Sequence, residues 1–254
     1  MTITDREAAR TRAMAGHRVP MTSLRKAALI AGVFYVLTFV SIPTLFLYQS
    51  MHEADYIIGP GPDTPMLFGG LLEMIVALTG IGTAVALYPV LRRQNEGLAL
   101  GLVASRILEA AAIFVGVATV ATLATLRQAG PGPDALITGQ ALAAFYDGVF
   151  LVGQAFIPAV NAVLLGSLLY KSRLVPRILP LLGFVGATLI ITSFAATMFN
   201  YLERVSPLTG LLALPIATWE FSLGVYLIVK GFKPSPVTDG MTAADFRFAK
   251  RVTH

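Results

Sequence analysis

The sequence predicts an all-α integral membrane protein, a bundle of six transmembrane helices with both termini in the cytoplasm. Hydrophobic residues make up 56% of the 254 residues and charged residues only 13%, a balance outside the usual range of soluble domains. The chain also contains six apolar runs that are long enough to cross a bilayer. Finally, the basic residues collect in the segments that this topology places on one side of the membrane.

Composition also limits the kinds of site that the chain can carry. There is no cysteine, which excludes disulfides, thiolate nucleophiles and cysteine-bound metals. His17, His52 and His254 lie in tails or a loop, which excludes an intramembrane hydrolase with a histidine-bound metal. The net charge of +5 does not indicate nucleic acid binding, because the basic residues fall at helix ends rather than on one face. We therefore assign no catalytic residue, metal, cofactor or nucleic acid partner.

Each apolar run is bounded by charged residues or by glycine and proline. The first run follows Arg25 and Lys26 and is interpreted as a retained helix, because the polar tail before it is too long for an ordinary signal peptide. The six predicted spans are 27–48, 66–91, 98–126, 140–170, 178–201 and 208–230.

These spans divide the chain into three parts. Residues 1–24 are predicted to be a disordered cytoplasmic tail, 25–232 the transmembrane domain, and 233–254 a second cytoplasmic tail. The long loop at 49–65 contains several acidic residues, prolines and glycines. We expect it to be solvated, with capping of the bundle as the alternative.

Orientation follows from the basic residues. With the N-terminus inside, 16 of the 19 Lys and Arg residues lie on the cytoplasmic side, as the positive-inside rule requires. The exceptions are Arg106, Arg127 and Arg204. Tyr48 and Tyr201 fall near the outer ends of spans, where we expect them in the interfacial aromatic belt.

Three segments of the chain resemble one family of bacterial multi-pass membrane proteins. They are Leu-Leu-Tyr-Lys-Ser-Arg-Leu-Val-Pro-Arg-Ile-Leu-Pro at 168–180, the Ser-Leu-Arg-Lys sequence before the first span, and Ser-Arg-Ile-Leu-Glu-Ala at 105–110. Over about residues 22–232 the chain is similar to the family called domain of unknown function 4386. The resemblance implies a helical protein of the bacterial inner membrane and implies no activity.

Five ionisable side chains fall inside the predicted spans: Glu73, Arg106, Glu109, Asp147 and Glu220. Each would cost roughly 3 kcal/mol at the centre of a lipid-facing helix, so we expect all five to face the bundle interior or water. Arg106 and Glu109 are three residues apart on one helix face, which predicts an ion pair. Pairing of Arg106 with Asp147 or Glu220 is the alternative. Because four carboxylates face one guanidinium, three must be protonated, hydrated or neutralised by a bound cation.

The fourth span carries a stripe of polar residues that we call the polar seam. Gln140, Asp147, Gln154 and Asn161 recur at every seventh residue. Seven residues are two helical turns, so the four side chains share one face. Lipid cannot satisfy an amide or a carboxylate, so the seam is predicted to face the bundle interior. Gln140 and Asn161 lie near the ends of the span and are expected to hold helices together.

Three prolines lie inside predicted spans: Pro43, Pro158 and Pro215. Each lacks an N–H and releases the carbonyl four residues earlier, so each predicts a kink. The kink at Pro158 falls beside Gln154 of the polar seam. It indicates either ordinary helix curvature or a place where a cation or a gate is accommodated.

These features predict a transporter that moves a small solute or cation with protons. Asp147 and Glu220 would be the main proton- or cation-binding groups, Glu73 an outer relay, and the Arg106–Glu109 pair the floor of the cavity. An intramembrane enzyme that acts on a lipid or isoprenoid with a carboxylic acid catalyst is one alternative, and it requires a lateral opening beside Asp147 or Glu220. An assembly or sensor subunit is the other, in which the seam faces outward and binds another membrane protein or a second copy.

Overall fold

A computed structural model describes residues 22–246 of the chain. It confirms the all-helical class: the described residues form no strand and contain six helices that are long and apolar enough to cross a membrane. These spans are Ser23–Leu47, Thr64–Leu91, Glu96–Gln128, Pro133–Ser172, Ile178–Met198 and Pro207–Val229. Most of the predicted N-terminal tail and the last eight residues of the C-terminal tail lie outside the described residues.

The first and fourth spans are interrupted, whereas the other four are continuous helices. We number the α-helices in chain order: α1 Ser23–Leu37, α2 Thr44–Leu47, α3 Thr64–Leu91, α4 Glu96–Gln128, α5 Leu136–Phe150, α6 Ile157–Ser172, α7 Ile178–Met198 and α8 Pro207–Val229. A 3₁₀ turn at Thr38–Ser41 separates α1 from α2 just before Pro43. A π-helical turn at Leu151–Phe156 separates α5 from α6 just before Pro158.

Polar side chains fix the starts of three helices. Thr22, Asn95 and Ser206 each accept a hydrogen bond from a backbone N–H in the first turn of α1, α4 and α8, respectively. At the start of α8 the Thr209 hydroxyl also accepts a bond from the Ser206 N–H, which completes a capping box. Such caps satisfy N–H groups that have no partner within the helix.

The spans pack as a ring. Each span packs against the next along the chain, and α8 packs against α1 to close the ring. Glycine makes that closure possible, because a Cβ on Gly32 of α1 would lie 2.7 Å from the Gly224 backbone oxygen of α8. α7 approaches α8 equally closely, since a Cβ on Gly186 would lie 2.6 Å from the Ile216 backbone.

The bundle has two ends. We call the end that carries residues 48–63, 129–132 and 199–206 the loop face, and the opposite end the terminal face. An even number of crossings returns the chain to the terminal face, where the described part of the C-terminal tail packs. The Lys233 N–H donates to the Leu174 backbone oxygen at 2.8 Å, and Arg93 pairs with Asp245 at 3.0 Å.

The loop at 49–65 keeps most of its residues exposed, as the sequence predicted, and it also caps the bundle, which was the alternative. Met51, Tyr56 and Ile57 are buried in an apolar cluster with residues of α3, α4 and α5. Arg127 of α4 anchors the same loop: its guanidinium donates to the Gly59 backbone oxygen and, at 2.8 Å, to Asp63. Apolar side chains and one buried cation therefore fold this loop over the end of the bundle.

Candidate functional site

The polar seam runs from the loop face into the interior, and its side chains become more buried with depth. Gln140 is exposed, Asp147 and Gln154 are half-buried, and Asn161 is fully buried. Gln140 donates to the Ala54 backbone oxygen of the covering loop. Gln154 donates to Glu73 at 3.0 Å and Asn161 to Glu109 at 2.7 Å. The seam thus links the loop face to two buried carboxylates at different depths.

The π-helical turn lies at the middle of the seam and includes Gln154. Pro158 follows at the start of α6 and cannot supply the N–H that would bond to the Gln154 carbonyl in an α-helix. A π turn resolves this mismatch because its bonds join residues five apart. Such turns occur often at functional sites, and this one sets the direction of the side chain that reaches Glu73.

At the loop face, Asp147 is part of a charged group of three side chains. The Arg204 Nε lies 2.8 Å from Asp147 Oδ1, and the His52 Nε2 lies 3.0 Å from the same oxygen. Asp147 is therefore not a carboxylate without a basic partner, as the sequence count of one guanidinium for four carboxylates had assumed. The count failed because Arg204 and His52 were assigned to loops, whereas both loops fold back onto α5.

Both ring nitrogens of His52 face oxygen atoms that accept hydrogen bonds. Nδ1 is 2.9 Å from the Tyr48 backbone oxygen, and Nε2 faces the carboxylate of Asp147. A protonated imidazole can donate to both partners at once, whereas a neutral one cannot. The hydrogen bond to Asp147 is the main cause that raises the pKa of His52 above its ordinary value, although burial and the nearby Arg204 oppose it.

Glu73 lies beneath this group and is almost completely buried. At 1.5 Å per residue it lies about 14 Å along α3 from Thr64. Its carboxylate accepts hydrogen bonds from the hydroxyl groups of Tyr146 at 2.8 Å and Tyr48 at 3.2 Å, and from the Gln154 amide. No Lys, Arg or His nitrogen of the described residues lies within 4.0 Å of it. Glu73 is thus a buried carboxylate that only neutral groups contact.

Tyr48 is not the interfacial belt residue that the sequence predicted. Only 4% of it is exposed, and its ring packs edge-to-face on Tyr146 with centroids 5.3 Å apart. A Cβ on Gly69 would lie 2.5 Å from the Tyr48 ring, so a glycine on α3 makes room for it. Tyr201, in contrast, is 83% exposed.

A second group of buried side chains, with two carboxylates, surrounds Arg106 in the middle of the bundle. Its guanidinium lies 2.9 Å from Glu109 and 3.2 Å from Glu220, and it donates to the Tyr35 hydroxyl at 3.1 Å. Arg106 thus contacts both Glu109 on its own helix and Glu220 across the bundle, and Asp147 lies in a different group. Two carboxylates on one guanidinium leave one excess negative charge, which a proton or a monovalent cation would balance.

Two cavities adjoin these groups on the loop side. The mouth cavity, of about 290 Å³, is lined by Tyr48, His52, Tyr146, Asp147 and Arg204 together with neighbouring apolar residues. The second cavity, of about 310 Å³, lies between the π turn, α7 and the start of α8 and is mostly apolar, with Gln154, Ser193 and Thr209 in its wall. Among the described residues, no group of three or more His, Cys, Asp or Glu side chains is placed to hold a metal ion.

Comparison with family models identifies the family of the chain. Residues 30–231 match the model described as Domain of unknown function (DUF4386). The chain belongs to this family. Comparison with curated proteins and with solved structures finds no match. A DUF4386 protein with six apolar helices is a multi-pass membrane protein, which establishes contact with a lipid bilayer.

Sequence reasoning missed five side chains of the site: Tyr35, Tyr48, His52, Tyr146 and Arg204. The tyrosines gave no signal, because a tyrosine in an apolar helix is as common in a belt or a core as in a site. Arg204 gave a weak one, since it is one of only two basic residues that the topology leaves on the side opposite the termini.

Proposed function

We propose that this DUF4386 protein is a transporter that moves a small solute or cation with protons through the centre of the ring. The solute would enter the mouth cavity at the loop face. Glu73 would carry the proton, and the group around Arg106 would form the floor on which the pathway closes.

The environment of Glu73 is the observation that carries this proposal. Three neutral donors stabilise the charged form of its carboxylate, and loss of any one of them weakens that stabilisation and favours protonation. Two of those donors, Tyr48 and Tyr146, also line the mouth cavity. A solute that displaces either hydroxyl would therefore change the protonation of Glu73, which is the coupling that a proton-driven transporter needs.

Asp147 and Glu220 have supporting roles in this proposal. Asp147 lies in the wall of the mouth cavity and would contact the solute directly. Glu220 shares the guanidinium of Arg106 with Glu109, and 18% of its side chain is exposed. It would take the proton at the next stage of the pathway. The π turn that contains Gln154 would let the fourth span rearrange between these stages.

The orientation of the polar seam favours a transporter over an assembly or sensor subunit. A subunit that binds a partner through the seam needs these side chains on its outer surface. Gln154 and Asn161 instead contact Glu73 and Glu109 inside the bundle. The mostly apolar second cavity beside Gln154 favours one other function, an enzyme that acts on a lipid, because an apolar tail could occupy it.

Proteoliposomes that contain a pH-sensitive dye test the proposal. We expect at least one of sodium, potassium, choline, betaine, glycine or acetate to produce a protein-dependent change of internal pH. Replacement of Glu73 by Gln keeps the size and shape of the side chain but puts an amide in place of the group that takes up the proton, so Glu73→Gln is expected to lower the rate at least tenfold.

The matched control is Glu53→Gln, which neutralises an exposed carboxylate at the same end of the bundle and is expected to keep the wild-type rate. Absence of any solute-dependent pH change, or an equal rate in Glu73→Gln, would contradict the proposal. Hydrolysis or modification of a lipid by the purified protein, lost in Glu73→Gln, would favour the enzyme instead.

A further inference from the structure

Arg204 separates the two cavities. Leu45, Phe150, Arg204 and Val205 line both of them, so these four side chains form the wall between the mouth cavity and the second cavity. Arg204 is the only charged member of this wall, and 18% of its side chain is exposed. It is therefore the member of this wall that a competing cation could displace.

Local structure explains why Arg204 lies there. Asn200 adopts a left-handed conformation and the Tyr201 N–H bonds back to the Ala196 backbone oxygen at 2.8 Å, which ends α7 as in a Schellman motif. The capping box at Ser206 then starts α8. The few residues between these two fixed ends form a short connection that directs Arg204 toward α5.

The surroundings of the Arg204 guanidinium are those of a binding site for an organic cation. Its Nε lies 2.8 Å from the Asp147 carboxylate. Its central carbon lies 5.0 Å from the centroid of the Phe150 ring and 6.0 Å from that of Tyr146. A carboxylate combined with aromatic rings is a common arrangement for holding ammonium and guanidinium groups.

We propose that Arg204 occupies the binding site of an organic cation and acts as a plug, which such a cation must displace to enter the second cavity. This inference rests on the proposed transport function and names its substrate class. A quaternary ammonium or guanidinium solute would bind Asp147, Tyr146 and Phe150 in place of Arg204. Departure of the Arg204 side chain would join the two cavities in the same step.

Contact with the proton site follows from the geometry of Tyr146. Its ring lies near Arg204, and its hydroxyl donates to Glu73 at 2.8 Å. A cation that replaces Arg204 over this ring would therefore lie one side chain away from Glu73. Movement of Tyr146 to accommodate the cation would remove a hydrogen bond from Glu73.

Calorimetric titration of the purified full chain in detergent tests the plug, with choline as the cation and 3,3-dimethylbutanol as its uncharged counterpart of the same shape. Arg204→Ala removes the competing cation, so we expect it to bind choline at least tenfold more tightly than the wild type. Arg204→Lys retains a cation and is expected to bind choline as the wild type does. The double variant Arg204→Ala with Asp147→Asn is expected to lose the tighter binding of choline that Arg204→Ala shows.

Binding of the uncharged alcohol distinguishes a site that selects cations from a cavity that has only become larger. Tighter binding of both choline and the alcohol to Arg204→Ala would overturn the cation assignment, and unchanged choline binding would overturn the plug. Arg204→Gln, which preserves most of the side-chain volume, serves as the second variant if Arg204→Ala does not fold. Equilibrium binding requires no transport, so a negative result here with Glu73-dependent proton flux intact would reject the plug alone.

Discussion

Arg106 shows how much a single buried charge can determine in this bundle. Only 5% of its side chain is exposed, and it is the shared partner of Glu109, Glu220 and Tyr35. The ring of Tyr35 also lies beneath its guanidinium, 5.5 Å from the central carbon. Removing it would leave two carboxylates in the interior with no cation beside them.

We therefore expect Arg106→Ala to destabilise the protein more than Glu109→Gln. Loss of one partner from a buried ion pair costs about 3–5 kcal/mol, whereas Glu109→Gln leaves Arg106 paired with Glu220. Thermal melting in detergent measures the difference. The control is Arg93→Ala, which removes a partly exposed ion pair at the terminal face and is expected to melt close to the wild type. Equal melting of Arg106→Ala and the wild type would mean that water reaches Arg106.

At the scale of elements, the loop between α2 and α3 is held at two points. His52 connects its beginning to α5 through Asp147, and Arg127 of α4 holds its end through Gly59 and Asp63. The chain between these points covers the bundle with Met51, Tyr56 and Ile57. The first of the two connections is expected to depend on pH.

The contribution of His52 to stability is expected to disappear in alkaline solution. Its folded-state pKa lies above the ordinary value of 6.5, so the stabilisation is complete below about pH 6.5 and is lost as the pH rises through the raised pKa. The melting temperature of wild type minus that of His52→Gln should be largest near pH 6 and close to zero near pH 9. A difference that is constant with pH would show that neutral histidine makes the same contacts.

The fourth span illustrates which elements a sequence can predict. A seven-residue repeat places Gln140, Asp147, Gln154 and Asn161 on one helical face whatever surrounds it, so the inward direction of the seam was predictable. The partner of each side chain was not, because it depends on how neighbouring helices and loops are placed. Pro158 predicted an interruption, but the choice of a π turn rather than a simple kink depends on packing of both flanking helices.

At the scale of the whole molecule, the number of spans was predictable because a bilayer requires long apolar helices. The ring order was not, since it depends on close approach at glycines such as Gly32 and Gly224, and several other glycines in the chain make no such contact. Capping of the bundle by the loop at 49–65 was only the alternative to a solvated loop, for a related reason. The acidic residues of this loop predicted a solvated segment, whereas a few buried apolar side chains and the contacts of Arg127 fix its position.

The side of the membrane on which each face lies is the last prediction. The six spans place the segments near 97 and 171 on the terminal face, and the abundance of Lys and Arg there predicts that this face is cytoplasmic. Because the chain has no cysteine, single substitutions can be labelled without background. We expect an impermeant maleimide to label Pro60→Cys, Gly132→Cys and Glu203→Cys in intact cells, and Gly97→Cys and Lys171→Cys only after the cells are opened. Complete reversal of this pattern would contradict the orientation alone, whereas labelling of Gly97→Cys and Lys171→Cys from opposite sides would contradict the six-span bundle itself.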